Sequence, residues 1–460
     1  MDDFVCISPV DGREVARRAP TPAAEVARAL ERARRAQRAW REVPLAERCA
    51  PVRRFLEAME RLNAEIVVEL AWQMGRPVRY GGELRSLGER VEAMIALAPE
   101  ALAEEVRERG HVARVPAGLV LVVAPWNYPF LTAANTIVPA LLAGNAVILK
   151  HSAQTLLAGE RLAEAFASAD LPEGLFHNLF LTHEETARLL GAGAVDHATF
   201  TGSVEGGRAI ERAAAGSFTT LTLELGGKDP AYVREDADLA MAVEGLADGS
   251  FYNSGQSCCG VERIYVHAAV WQPFLDGLVQ AAQAYRLGNP LDRETSLGPM
   301  ATVKGAREVR RQVREALAAG AVAHVSPQLF PADTGEGQYL MPQVLTRVDH
   351  DMAVMREETF GPVVGIMKVE DDAEAVRLMN DSAYGLTASI WTRDLDAAAR
   401  LAGAVEAGTV LANRCDYLDP ALAWTGLKDS GRGASLGRYG FDSVTRPKSL
   451  HLPNLPPRSA

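Results

Sequence analysis

A cysteine behind a small polar turn, Gly255-Gln256-Ser257-Cys258, is the first place where this chain could do covalent chemistry. A thiol attacks only as a thiolate, which needs backbone N–H groups or a cation close by. Without them a cysteine is a small buried hydrophobe, and Cys259 reads that way. Glu224, in Glu224-Leu225-Gly226-Gly227, ends an apolar run. Its glycines allow other groups to approach closely, which suits a general base with a tuned pKa; a solvated strand-end acid is the alternative. Pro125-Trp126-Asn127-Tyr128-Pro129 ends another apolar run between two prolines. There Asn127 can aim its amide at a developing oxyanion, or the segment is only a rigid turn around a packed Trp126. Phe200-Thr201-Gly202-Ser203 leads to a helix opened at Gly207. Small residues before a helix suit a pyrophosphate, and a plain strand-to-helix turn is equally open. The segment is neither a G-x-G-x-x-G fingerprint nor a P-loop, because Arg208 follows Gly207 where a P-loop has Lys.

Elements that would position these groups follow from the apolar pattern. Short apolar runs at 118–125, 145–150 and 197–202 alternate with helix-length stretches such as 132–142 and 156–169. That is a parallel βαβ rhythm and predicts a doubly wound sheet, with ligands outside the carboxyl ends of its strands. Upstream, Val26, Leu30, Ala33 and Gln37 share one helical face, with Thr21 expected as N-cap and Pro22 at the first helical position. A second amphipathic helix follows from about Glu47. Beyond residue 230 a second α/β round is expected: a helix at 239–247, a strand at 263–267 and a helix at 270–285. Asp229-Pro230 and Gly298-Pro299 are read as loops, and the tail from Pro447 as extended.

Composition narrows the function classes. A chain of 460 residues exceeds one hydrophobic core and implies two or three domains. The net charge of −11, with the arginines of 28–61 spread over helix faces, argues against a nucleic-acid partner. No apolar stretch reaches membrane-spanning length and the first residues carry no secretory pattern, so no membrane is expected and the cytoplasm is the expected address. Five cysteines without framework spacing are expected as free thiols, and no Cys/His set supports a metal.

Taken in order, Pro125–Pro129, Ile148-Leu149-Lys150, Phe200–Ser203, Glu224–Lys228, Gly255–Cys258 and the segment Glu357–Val363 resemble the motif series of the aldehyde dehydrogenase superfamily. The resemblance runs from residue 69 to residue 430, and Glu224 and Cys258 stand 34 positions apart, as in that family. It implies an α/β protein with a doubly wound Rossmann-like cofactor domain (1–97, 117–226 and 429–443), a second α/β catalytic domain (227–428) and a small β oligomerisation element (98–116 and 444–460). It also implies a homodimer or homotetramer.

By resemblance, Cys258 is the nucleophile, Asn127 and the Cys258 N–H hold the oxyanion, and Glu224 activates the water that hydrolyses the thioester. Lys150 matches the adenosine-ribose contact, Gly202 and Ser203 the pyrophosphate site, and Glu358 the nicotinamide ribose; Trp126 and Phe360 complete the cofactor set. Members that prefer NAD carry a glutamate three residues after this lysine; here Ala153 stands, which removes a repulsion against a 2′-phosphate, so NADP is expected to be accepted beside NAD. Tyr128, Tyr252, Ser257 and Trp424 match tunnel positions, and the three aromatics suggest a hydrophobic aliphatic or aromatic aldehyde. Arg414, near the rim, is read as a salt-paired surface group, which sets aside a carboxylate-bearing semialdehyde as the alternative. Two rival classes remain: a cofactor-independent cysteine hydrolase or esterase, for which no histidine lies in any motif, and a non-catalytic protein, although every catalytic position is filled.

Overall fold

The computed structural model describes residues 2–451. Its first sheet has six strands in the order Gly431–Arg432, Thr220–Glu224, His197–Thr201, Leu119–Val123, Ala146–Lys150, Phe176–Asn178, all parallel except the first. Strands Leu119–Val123 and Ala146–Lys150 are buried at every residue, as expected when helices cover both faces. Those helices include Ala23–Trp40, Leu45–Met74 and Pro129–Ala143, whose apolar faces join one continuous core with the sheet.

From Leu119–Val123 the chain passes to the Ala146–Lys150 strand on one side, and from His197–Thr201 to Thr220–Glu224 on the other. The connections leaving these two neighbours therefore diverge and open a crevice at their carboxyl ends. The Trp126 and Ser203 turns both start there.

The second sheet has seven strands in the order Val322–Ala323, Gln343–Thr346, Val363–Val369, Val261–His267, Asp229–Val233, Thr387–Trp391, Thr409–Ala412. Alternation builds its two cores: Ala231, Val233, Ile264 and Val266 face one, while Tyr232 and Tyr265 face the other. A third, antiparallel sheet joins Thr445–His451, Gly110–Pro116 and Glu105–Arg107. Residues 452–460, the end of the expected oligomerisation element, lie outside the described residues. No described helix is long and apolar enough to cross a membrane.

Two local expectations are corrected. Thr21 does not cap the first helix, which starts at Ala23 behind Pro22; its hydroxyl instead accepts from the Phe180 N–H at 2.9 Å, tying the helix entrance to a loop of the first sheet. Asp229-Pro230 is not a loop but opens a central strand. Proline is tolerated because the register shifts between Asp229 and Pro230, and pairing with Thr387–Trp391 begins only at Ala231, so the missing N–H costs that ladder nothing.

Candidate active site

Several of the residues singled out in the sequence line one edge of the first sheet. Val123 pairs with Phe200 and Lys150, and Thr201 with Glu224, so the strands end level. Their carboxyl edge meets the amino ends of the second sheet, where Cys258 precedes the strand Val261–His267 and Phe360 the strand Val363–Val369. Gly226 marks the junction: a Cβ there would collide with the Glu358 carboxylate, and the Gly227 N–H donates to that carboxylate at 3.3 Å.

The turn carrying Cys258 is sharply bent. After helix Leu239–Phe251, Asn253, Ser254 and Gly255 take φ values of 53°, 58° and 67°, left-handed geometry that two non-glycine residues hold only under local constraint. The constraint is a hydrogen-bond net. Asn253 Nδ2 donates to the carbonyls of Asn127 and Gln256, both at 3.3 Å, and Arg76 Nε donates to Asn253 Oδ1 at 3.3 Å. The Ser254 hydroxyl donates to Gly298 O at 2.8 Å, and Gln256 Oε1 accepts from the Ala301 N–H at 2.8 Å. Asn127 Nδ2 donates to Gln256 O at 3.2 Å, so the expected oxyanion amide is tied to the segment that carries the thiol.

Cys258 is half-buried and Glu224 buried, and both line one cavity of about 640 Å³ together with Tyr128, Tyr252, Ser257 and Trp424. The Glu224 carboxylate accepts from the Ser435 hydroxyl and, at 3.3 Å, from the Thr201 hydroxyl. Burial pushes its pKa up, against the pull of these two hydrogen bonds and of Arg90. Cys259 is buried; its thiol donates to Asp416 at 3.0 Å, and a hydrogen bond with the Cys258 thiol together with burial holds it well above the ordinary thiol value.

One wall expectation is corrected. Arg414 lines this cavity, stacked on the Tyr417 ring at 3.2 Å, and pairs with no carboxylate among the described residues. The aromatic packing replaces the surface ion pair.

On the crevice side, Lys150 is 8 % exposed and without a carboxylate partner among the described residues; burial lowers its pKa. Ala153 opens the short turn Ala153–Thr155 just after it. Ser203 caps helix Val204–Ala214, its hydroxyl accepting from the Gly206 N–H at 3.2 Å. The helix thus starts three residues before Gly207, whose missing Cβ makes room for Leu225. The Gly202 N–H donates to Glu224 O at 3.0 Å. Trp126 and Phe360 meet edge to face at 5.6 Å. Burial, with Glu262 nearby, raises Glu358 to about 8.

Sequence reasoning missed the groups that brace this site. Lys228 Nζ donates to Glu262 at 2.6 Å and to the Thr359 hydroxyl at 2.7 Å, while the Glu262 carboxylate accepts the N–H groups of Thr359 and Phe360, each at 2.8 Å. This buried pair holds Phe360 at a φ of 49°. Arg76 and Glu83 form a second buried pair at 2.8 Å; Arg76 also donates to Asn127 O at 2.6 Å, and Glu83 accepts from the Phe130 and Leu131 N–H groups. Lys228 closes the Glu224–Lys228 motif and Arg76 lies in the stretch from residue 69 where the resemblance begins, so both could have been flagged; Glu83 and Glu262 lie in none of the motifs named above.

Comparison with known proteins points to one family. The profile of the aldehyde dehydrogenase family matches residues 2–450. An aldehyde dehydrogenase of Paenarthrobacter nicotinovorans is 36% identical over 435 residues, 93% of this chain and 94% of the relative. Betaine aldehyde dehydrogenase 2 of Rhizobium meliloti is 32% identical over 98% of this chain and 94% of its own length. Among solved structures, succinic semialdehyde dehydrogenase from Streptococcus pyogenes in complex with NADP+ superposes with a TM-score of 0.91 at 26% identity, covering 98% of this chain and all of the other.

Proposed function

The chain belongs to the aldehyde dehydrogenase family, and on that premise we propose that it oxidises an aldehyde to its carboxylic acid with NAD(P), using Cys258 as nucleophile and Glu224 as base. The observation that carries this reading is the shared cavity: a half-buried thiol and a buried carboxylate of raised pKa face the same space. Among the described residues no histidine lines that cavity, which disfavours a Cys-His hydrolase.

The crevice suits a dinucleotide. A buried Lys150 with no ion-pair partner among the described residues fits a ribose or phosphate, and neutral Ala153 admits a 2′-phosphate, so NADP is accepted beside NAD. Gly202 and Ser203, at the start of the helix Val204–Ala214, would hold the pyrophosphate, and Glu358, Phe360 and Trp126 the nicotinamide end; the helix start and the Trp126–Phe360 contact support this. Bound there, NAD(P) supplies the acceptor for the hydride of the aldehyde carbon.

The chain's own groups do the rest. The Cys258 thiol loses its proton to solvent, its sulfur adds to the carbonyl carbon, and the Asn127 amide with the Cys258 N–H stabilises the oxygen that becomes negative. Once the carbon is oxidised, Cys258 is a thioester. Glu224 takes a proton from water, the water oxygen forms the acid, and the thiol leaves with a proton. A carboxylate in that position favours water over a coenzyme A thiol as acceptor.

The three sheets support division into a cofactor domain (1–97, 117–226, 429–443), a catalytic domain (227–428) and a small element (98–116, 444–460) through which a homodimer or homotetramer assembles. Five free cysteines fit a reducing compartment, and the cytoplasm is the proposed address. The direct test is a panel of aldehydes with NAD or NADP, followed by reduced-nicotinamide absorbance. Aldehyde-dependent reduction is expected; acid release without reduction would favour the hydrolase.

A further inference from the structure

The cavity around Cys258 is not the apolar tunnel that its aromatics alone suggest. Four arginines reach its wall. Two are neutralised: Arg76 by Glu83 at 2.8 Å and Arg85 by Glu89 at 3.2 Å. Arg90 and Arg414 form no ion pair among the described residues. Arg90 is half-buried and spends only Nη1 on the protein, donating to Asn135 Oδ1 at 2.8 Å and Leu131 O at 3.3 Å; its Nε and Nη2 meet no acceptor there. A guanidinium presents a planar fork of donors matched to a carboxylate, and half of this fork is unused.

The acids on the same wall are mostly engaged. Glu83 holds Arg76 and two backbone N–H groups. Asp416 accepts from Ser257 at 2.6 Å and from Cys259 at 3.0 Å, and Glu224 is held by Ser435 and Thr201. Asp248 alone has no hydrogen-bond donor among the described residues, and burial with Asp416 and Glu244 nearby raises it to about 6, so on this wall one free acid stands against two free guanidinium groups.

We propose that the aldehyde oxidised here carries a carboxylate at its far end, gripped by the free edge of Arg90, with Arg414 as a second cation on the exposed wall. The substrate class is thus a semialdehyde rather than a hydrocarbon-chain or cationic aldehyde. This rests on the aldehyde-oxidising reading above.

The test compares aldehydes of equal chain length ending in a carboxylate, a methyl group or an ammonium group, with the wild-type protein, Arg90→Gln and Arg90→Lys. Wild type is expected to favour the carboxylate. Arg90→Gln removes a charge that also lowers the Glu224 pKa, so all three aldehydes are compared on the plateau above the acidic limb; there the carboxylate-ended one is expected to lose about a hundredfold more in kcat/KM than the methyl-ended one, the effect of unpairing a desolvated charge. Arg90→Lys restores part of the loss. A wild-type preference for the methyl-ended aldehyde overturns the proposal, and a preference for the ammonium-ended one overturns it in favour of Asp248. An equal loss on all three substrates in Arg90→Gln also overturns it, by making Arg90 structural. If wild type reduces NAD(P) with none of them, the aldehyde-oxidising reading itself fails.

Discussion

The Ser435 hydroxyl donates to the carboxylate of Glu224 across 211 positions of chain, opposite the hydroxyl of Thr201. These two bonds favour the charged carboxylate, while burial favours the neutral acid, and burial wins. A base is lost as pH falls through its pKa. The acidic limb of kcat therefore lies above the ordinary carboxylate range, and Ser435→Ala, by removing a bond to the charged form, moves it to still higher pH. Glu224→Gln removes the limb and slows turnover by about a hundredfold or more. A pH–rate profile of the three proteins checks the order; a limb unmoved in Ser435→Ala would detach Glu224 from it.

Asn127 is pinned from both ends, its carbonyl by Arg76 and its amide against Gln256. Asn127→Ala should lower kcat about a hundredfold, roughly 3 kcal/mol of transition-state stabilisation, with little change in the KM for aldehyde. A change confined to KM would make Asn127 a binding group instead.

Cofactor choice turns on one small side chain. Ala153→Glu places a carboxylate three residues from Lys150, where it repels a 2′-phosphate and can pair with a ribose diol. The variant is expected to lose about a hundredfold in kcat/KM with NADP and little with NAD. Equal losses with both cofactors would remove Ala153 from the account.

Lys228 and Glu262 are both buried and brace the turn at Thr359 and Phe360. Lys228→Met leaves a buried carboxylate unpaired and should destabilise the fold by about 3–5 kcal/mol, read as a lower Tm, and Glu262→Gln in the same chain should return much of it. Both variants weaken cofactor binding if the turn loosens, which cofactor titration measures.

The legible part of this molecule is the part whose signals are local. Fully buried runs such as Leu119–Val123 and Ala146–Lys150 announced a doubly wound sheet because both faces must be apolar. Chemistry at such strand ends then fell along one edge. What stayed hidden depends on partners far along the chain. Ser435 and Glu83 look like any surface serine or glutamate until folding brings them to Glu224 and Arg76. Thr21 looked like a cap but serves Phe180, and Arg414 finds an aromatic ring in place of an acid.

The central claim is that Cys258 carries the substrate as a thioester that Glu224 releases. The most direct test is a single turnover of Glu224→Gln with aldehyde and NADP, followed by mass spectrometry of the protein and its peptides. The account predicts one acyl group on the peptide containing Cys258, one reduced cofactor per chain and then a stall, with no adduct and no reduction in Cys258→Ser. Sustained turnover in Cys258→Ser, or an acyl group on any other residue, would contradict it.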